Sequence, residues 1–257
     1  MTDIATLRRL LASNRFMPSP PGQLMFCGDG DFRAIGAEFL ERLVRDAGLL
    51  PGHRVLDIGS GVGRLALPMT QYLDETGSYD GVDPVAAGID WCSATITPVY
   101  PAIRFHHHDV RHDLYNPHGQ YETVDAPLPF ADASFDRICM MSVLTHLDQA
   151  DALHYAAEVA RLLAPGGLCL ATAFLINLPA LEALKAGLGR IGFSVNDPGP
   201  VYQSNPEIPQ AGVAFDEDVL LELFLRHGLR RRNPAQYGHW SGREGPSFQD
   251  ICLFERV

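Results

Sequence analysis

The stretch Arg54–Met69, RVLDIGSGVGRLALPM, constrains what this chain can fold into more than any other. A short apolar run, Val55 to Ile58, ends in a turn where Gly59, Gly61 and Gly63 alternate, and a helix-like segment follows. Glycine gives such a turn access to positive φ and lets a ligand approach without a Cβ in the way. The N–H groups that open the helix point partial positive charge at the same spot. A strand, a glycine turn and a helix in this order therefore make a site for a small ligand bearing a carboxylate or phosphate.

The spacing separates ligand classes. A dinucleotide site wants Gly-x-Gly-x-x-Gly, and the position of its third glycine holds Arg64. A Walker-type phosphate loop needs a Gly-Lys-Ser/Thr that does not follow here. Strands and helices alternate downstream, which predicts a parallel sheet with helices on both faces. The expected strands are Arg54–Ile58, Ser78–Val82, Ile103–His107, Phe135–Ser142 and Leu168–Ala173, with helices near Gly63–Leu73, Ala86–Thr97 and Gln149–Leu163. Residues 177–216 are rich in Pro, Gly and Asn, the composition of a lid or binding loop, with one helix-like piece at Pro179–Gly187. Asp216–His227 reads as a helix, and the short separation of two last strands, about Leu229–Gln236 and Phe248–Arg256, makes them antiparallel. Upstream, Ile4, Leu7, Leu10 and Leu11 have helical spacing, as do Phe39, Leu40, Leu43, Val44 and Ala47; Pro18, Pro20 and Pro21 break the chain between them.

Charge and cysteine usage exclude other classes. A formal charge of −11 argues against a nucleic-acid surface, and the one compact basic run, Arg230–Arg232, reads as a solvated strand edge. The five scattered cysteines give neither a disulfide framework nor a zinc pattern. The polar N-terminus and the lack of a long apolar stretch predict a cytoplasmic protein with no membrane partner.

The Asp-x-Gly-x-Gly-x-Gly pattern at Asp57, Gly59, Gly61 and Gly63 resembles motif I of the Rossmann-like (class I) S-adenosylmethionine (SAM) methyltransferases. The resemblance extends in family order from about Leu49 to the C-terminus. Asp83, closing the second strand, is similar to the acid that accepts hydrogen bonds from both ribose hydroxyls, though NAD would use the same feature. Asp109 resembles the acid that meets the adenine amino group, SFDRICMMSVLTHL looks like motif IV, and APGGLCLAT looks like the turn into the fifth strand. FCGDGDF at 26–32, YNPHG at 115–119 and SVLTHL also resemble a subgroup of small-molecule and sugar-type enzymes.

The resemblance implies an α/β fold: a Rossmann-like seven-stranded sheet, mostly parallel with an antiparallel last strand, and helices on both faces. It implies residues 1–48 as a helical segment closing over the cofactor site, with Phe32 and its preceding glycines folding over the ligand, and 49–257 as the methyltransferase domain. SAM would be the cofactor and S-adenosyl-L-homocysteine (SAH) the product. The implied cofactor residues are Asp57, Gly59, Ser60, Gly61, Gly63, Asp83, Pro84, Asp109, Val110, Met141 and Ser142. The implied reaction moves a methyl group to a hydroxyl, with an amine as the second choice, of a small-molecule acceptor such as a sugar or secondary metabolite. A nicotinamide-dependent oxidoreductase and a non-catalytic SAM-binding protein are the alternatives; Arg64 and the antiparallel last pair speak against the first.

Methyl transfer to a neutral alcohol benefits from a base. His146, just after the fourth strand at the edge where open α/β sheets bind ligands, is the candidate catalytic residue, with packing against the next helix as its plain alternative. His106, His107 and His108 alternate across a strand, so at most two converge and no metal site is expected. His239, Trp240 and Arg243 in the last loop, with Tyr202 and Asn205 in the 177–216 stretch, are the candidates for acceptor binding; an exposed Trp240 would pack on a ring, and Arg243 would hold an anionic group.

Overall fold

A computed structural model describes residues 4–13, 18–26, 30–196 and 199–257. Helix α1 (Ile4–Ser13) and α2 (Phe32–Arg45) precede the sheet. Asp31 caps α2 by accepting from the N–H groups of Arg33 and Ala34, both at 3.0 Å. The alternation then runs β1 (Arg54–Ile58), α3 (Ala66–Tyr72), β2 (Ser78–Asp83), α4 (Ala86–Thr95), β3 (Ile103–His107), β4 (Phe135–Met140), α5 (Gln149–Leu162) and β5 (Leu163–Ala173). The chain continues through β6 (Leu175–Ile176), α6 (Leu178–Lys185), β7 (Val201–Gln203), β8 (Val213–Asp216), α7 (Glu217–Leu225), β9 (Leu229–Arg231) and β10 (Asp250–Arg256).

Seven strands form one sheet in the order β3-β2-β1-β4-β5-β10-β9, and β10 runs antiparallel to both of its neighbours. The expected seven-stranded, mostly parallel sheet with a reversed last strand is therefore present. The chain works outward from β1 to β3 and returns to place β4 beside β1, so the order reverses between these two strands. That switch point opens a crevice at the carboxyl ends of the strands. Apolar side chains cover both faces. Leu7, Leu40, Leu43, Ala66 and Cys92 from α1 to α4 pack on one side, and Ala152, Val159, Leu220 and Phe224 from α5 and α7 pack on the other.

Several boundaries differ from the sequence expectation for identifiable reasons. The glycine turn delays α3 to Ala66. β4 stops at Met140 because Ser142 has φ of 60°, a left-handed conformation that a strand does not accommodate. β5 begins five residues early, at Leu163, where Phe135 pairs with it before a register shift. β9 is only three residues long: past the Arg232 N–H bond to the Leu253 carbonyl the ladder is interrupted, and it resumes only as a single bridge between Gln236 and Ile251.

The 177–216 stretch is not a bare loop. β6, β8 and β7 form a second, three-stranded sheet over a small core that includes Phe174, Phe193, Tyr202 and Trp240. The basic run is fully engaged: Arg230 and Arg232 face Glu255, at 2.6 and 3.8 Å, and Arg231 faces Glu217 at 2.5 Å. Among the described residues no helix is long and apolar enough to cross a membrane. Cys27, Gly28 and Asp29 of the expected FCGDGDF loop lie outside the described residues.

Candidate active site

The glycine turn folds over the end of β2. Gly59 and Ser60 both donate their N–H groups to the Val82 carbonyl, at 2.8 and 3.0 Å, and Gly61 donates to Asp83 Oδ2 at 2.7 Å. All three turn glycines have positive φ, between 56° and 77°. At Gly59 the requirement is also steric, since a Cβ there would lie 2.4 Å from Val143 Cγ2. Gly63 serves a different end: its missing Cβ admits Cys92 of α4 and Ile96 just past it, and it does not line the crevice.

The crevice holds a cavity of about 430 Å³. Of the residues expected to hold a cofactor, Asp57, Gly59, Ser60, Gly61, Asp83, Pro84, Val110, Met141 and Ser142 line it. Asp57 accepts from the Tyr79 hydroxyl at 2.5 Å and faces Cys139 Sγ at 3.3 Å. Burial pushes its carboxyl up to about 7 despite those donors. Asp83 accepts from Val85 N–H as well as from Gly61, and burial raises it to about 6. Each of its oxygens keeps a second lone pair for a ligand hydroxyl.

Asp109 is not among the residues lining the cavity; its Oδ1 accepts from Asn116 Nδ2 at 3.0 Å. The neighbouring His108 lines the wall instead, 8 % exposed, with an Nε2 that has no partner among the described residues. Burial drives this imidazole down to about 4, so it is neutral and able to donate or accept. Ser60 Oγ is a second buried polar atom on the wall without a partner among the described residues. The other two histidines of the trio diverge: His106 Nε2 meets Asp80 at 2.8 Å and His107 Nε2 meets the Pro84 carbonyl at 3.1 Å.

Four rings make another wall of the cavity. Tyr115 lies 6.2 Å from Phe26, 4.9 Å from His112 and 5.3 Å from His146, measured between ring centres. His146 sits in a short turn, Leu144–His146, after β4. Its Nδ1 is 2.9 Å from the Gln210 carbonyl, which can only accept, so Nδ1 carries the proton and Nε2 keeps the lone pair. Tyr115 Oη lies 3.4 Å from that Nε2. Burial lowers the His146 pKa below 6.5, which keeps the ring neutral near pH 7. His112 is committed elsewhere: Nε2 donates to the His146 carbonyl at 3.0 Å, and Nδ1 accepts from Leu114 and Tyr115 N–H.

At the cavity floor, Gln249 Oε1 accepts from Ser142 Oγ at 3.1 Å and from Thr172 Oγ1 at 2.5 Å, and Ser142 N–H donates to the same Thr172 hydroxyl at 2.7 Å. These bonds hold Ser142 in its left-handed conformation, the kind of local strain that surroundings must over-determine. Arg64, which ruled out the dinucleotide turn, proves to be a lining residue, its guanidinium 5.5 Å from the centre of the Phe32 ring. Phe32 thus braces Arg64, while Phe26 and Phe39 bring the N-terminal segment to the cavity.

None of the five residues expected to bind an acceptor lines this cavity. Trp240 is not an exposed ring: it is fully buried against Phe174 and Phe193, and its Nε1 donates to Asp250 Oδ2 at 2.8 Å. Tyr202 is buried in the same small core. Asn205 accepts from Glu207 N–H, and His239 packs on Phe248 with ring centres 5.4 Å apart. Arg243 stacks on Tyr237 at 4.5 Å and donates to Ser241 and Asn177. The residues that sequence reasoning passed over, Phe26, Arg64, His108, His112, Tyr115 and Gln249, come mostly from irregular segments. The FCGDGDF and YNPHG motifs, which start at Phe26 and Tyr115, signalled two of them.

Residues 55–167 match the family model of a methyltransferase domain. An arsenite methyltransferase of Aquipseudomonas alcaligenes is 37% identical over 119 residues, which are 46% of this chain and 32% of that protein. The match thus spans about a third of the curated relative. A SAM-dependent methyltransferase structure from Methanosarcina mazei superposes with a TM-score of 0.53 at 20% identity, covering 83% of this chain and 97% of the other. The 1,6-didemethyltoxoflavin-N1-methyltransferase of Burkholderia thailandensis, solved with its acceptor and SAH, gives 0.57 at 18% identity over 92% and 82%. The fold is that of the Rossmann-like methyltransferases.

Proposed function

We propose, from the premise that residues 55–167 carry a methyltransferase domain on a Rossmann-like methyltransferase fold, that this protein is a SAM-dependent methyltransferase that modifies a hydroxyl of a small molecule. The observation that carries the proposal is His146, which lines the same cavity as the glycine turn, with its Nδ1 proton spent on a carbonyl and its Nε2 lone pair on the cavity side, 3.4 Å from the Tyr115 hydroxyl.

The cavity suits the cofactor. Ser60 Oγ and His108 Nε2 are buried polar atoms on its wall without partners among the described residues, and the Asp83 carboxylate retains capacity for the two hydroxyls of a ribose. Arg64 is the one Lys or Arg side chain lining the cavity among the described residues, and it matches the methionyl carboxylate. Pro84, His108 and Val110 border the space next to Asp83 that the adenine would take. When bound, SAM supplies a methyl group on a cationic sulfur that is already activated for displacement. The protein's own work is then to place the acceptor oxygen about 3–3.5 Å from that carbon, to exclude water and to receive a proton. His146 Nε2 receives it, and the Gln210 carbonyl stabilises the resulting imidazolium through Nδ1.

The acceptor side supports a small, uncharged hydroxyl compound. Phe26, Tyr115, His112 and His146 form an aromatic, neutral wall. A soft metalloid such as arsenite calls for clustered thiolates. Cys92, Cys139, Cys169 and Cys252 are all buried, and burial pushes the thiols of the last three up, so these four do not supply them.

Calorimetry with SAH and NAD, joined to a screen of hydroxyl and amine acceptors with radiolabelled methyl donor, tests the proposal. SAH should bind and NAD should not; the reverse result ends it. His146→Ala should leave SAH binding intact and slow transfer by about 10²- to 10⁴-fold. Full turnover in that variant removes His146 as the base.

A further inference from the structure

The turn Pro209–Ala211 of the 177–216 stretch meets the His146 turn and the 112–116 loop at one residue, Gln210. Its backbone carbonyl accepts from His146 Nδ1 at 2.9 Å, and its side-chain Oε1 accepts from Asp113 N–H, also at 2.9 Å. The 112–116 loop is itself closed by reciprocal backbone bonds between His112 and Asn116, at 3.0 and 2.9 Å, and is tied to the His146 carbonyl through His112 Nε2. Three segments distant in sequence are thus bridged pairwise, and Gln210 provides two of the three bridges. Its neighbour Ala211 lines the cavity, so the same turn that bonds the base also closes the wall around it.

The bond to Nδ1 decides what His146 does. A neutral imidazole has one N–H and one lone pair, and the partner of one nitrogen sets the state of the other. With the carbonyl in place, the lone pair lies on Nε2, on the side of Tyr115 and the cavity. Without it, the ring is free to carry its proton on Nε2, where it cannot accept one from a substrate. The titratable groups facing the ring are His112 and Tyr115. His112 is fixed in a neutral form by the bonds at both of its nitrogens, and Asp113 acts on His112 rather than on His146.

We propose that Gln210 is a positioning residue: its side chain clasps the 112–116 loop, and the clasp holds its own carbonyl on His146 Nδ1 so that the Nε2 lone pair is presented to the acceptor. The inference rests on His146 being the base. Closing the acceptor cavity and preparing the base are then one event, and an open pocket filled with water lacks a competent base.

The ring nitrogens of His146, read by ¹⁵N NMR in the SAH-bound protein, report the tautomer without any acceptor. The wild type should show Nδ1–H. Gln210→Met keeps the length of the side chain but removes the acceptor, and the ratio of Nδ1–H to Nε2–H should fall about 3- to 10-fold, the effect of one neutral hydrogen bond. Gln210→Glu restores an acceptor for Asp113 N–H and should restore the wild-type tautomer. In transfer assays the Met variant should lose the same factor in kcat with SAM KM unchanged. An unchanged tautomer in Gln210→Met, or a Glu variant no better than Met, overturns the inference and leaves the cofactor reading standing. Failure of the wild type to bind SAH defeats that reading itself.

Discussion

Replacing Asp57 with asparagine separates the cost of a buried carboxylate from its shape. The side chain is 3 % exposed, and its folded-state pKa is about 7 against an ordinary value of 3.8. A raised acid pKa means that the folded protein holds a proton which the unfolded chain releases, so stability falls as pH rises from about 4 to about 7 and levels off above. At about 1.4 kcal/mol per pH unit, ionisation of Asp57 costs the fold about 2 kcal/mol at pH 5 and about 4 kcal/mol at pH 8. Asparagine does not titrate, and it still offers an oxygen to the Tyr79 hydroxyl. Urea titrations at the two pH values should show Asp57→Asn gaining on the wild type by about 2–3 kcal/mol between pH 5 and pH 8. Asp83, Asp151 and Asp250 are each raised to about 6 and titrate in the same window, but they do so in both proteins and largely cancel in the difference. An equal gap at pH 5 and pH 8 would refute the argument, because the carboxyl would then have the same pKa in both states.

Asp83→Ala should abolish SAH binding in calorimetry, and wild-type affinity should rise as pH increases through about 6, where burial has placed this carboxyl; undiminished binding by the variant removes Asp83 from the site. Gly59→Ala adds a methyl 2.4 Å from Val143 Cγ2 at a φ of 77°, so a loss of about 1–3 kcal/mol from backbone strain alone is expected in urea unfolding, with weaker SAH binding. Trp240→Phe leaves Asp250 Oδ2 without the indole N–H and should cost about 1–3 kcal/mol while SAH affinity holds; a large change in acceptor KM with stability intact would restore Trp240 to the acceptor site.

The half of the cavity around the glycine turn was legible because it is built from local signals. Strand β1, its glycine turn and Asp83 follow one another within thirty residues, and glycine and proline punctuate every crossing. The half around His146 was not, because it is assembled across the chain. Tyr115 and His112 come from a polar connection without periodicity, and Gln210 acts through a backbone carbonyl that no side-chain pattern reveals. Asp109 and His108 are adjacent, yet only His108 lines the cavity while Asp109 Oδ1 is bonded by Asn116, a difference that no spacing rule reveals. Trp240 was misread because the partner that lets an indole be buried, Asp250, lies on the next strand, and the rings that cover it, Phe174 and Phe193, lie more than forty residues upstream.

The three-stranded sheet of β6, β8 and β7 has a consequence for how such a protein can diversify. Leu175 pairs with Phe215 and Ile176 with Asp216, so the chain enters and leaves this excursion at neighbouring points. An excursion with adjoining ends behaves as an exchangeable cassette: residues 177–215 can be lengthened, shortened or grafted from another protein without moving β1, β2 or the glycine turn. Under the proposed function, the donor site and the acceptor wall could then change at different rates, and a graft that keeps a carbonyl opposite His146 would keep the bond to its Nδ1.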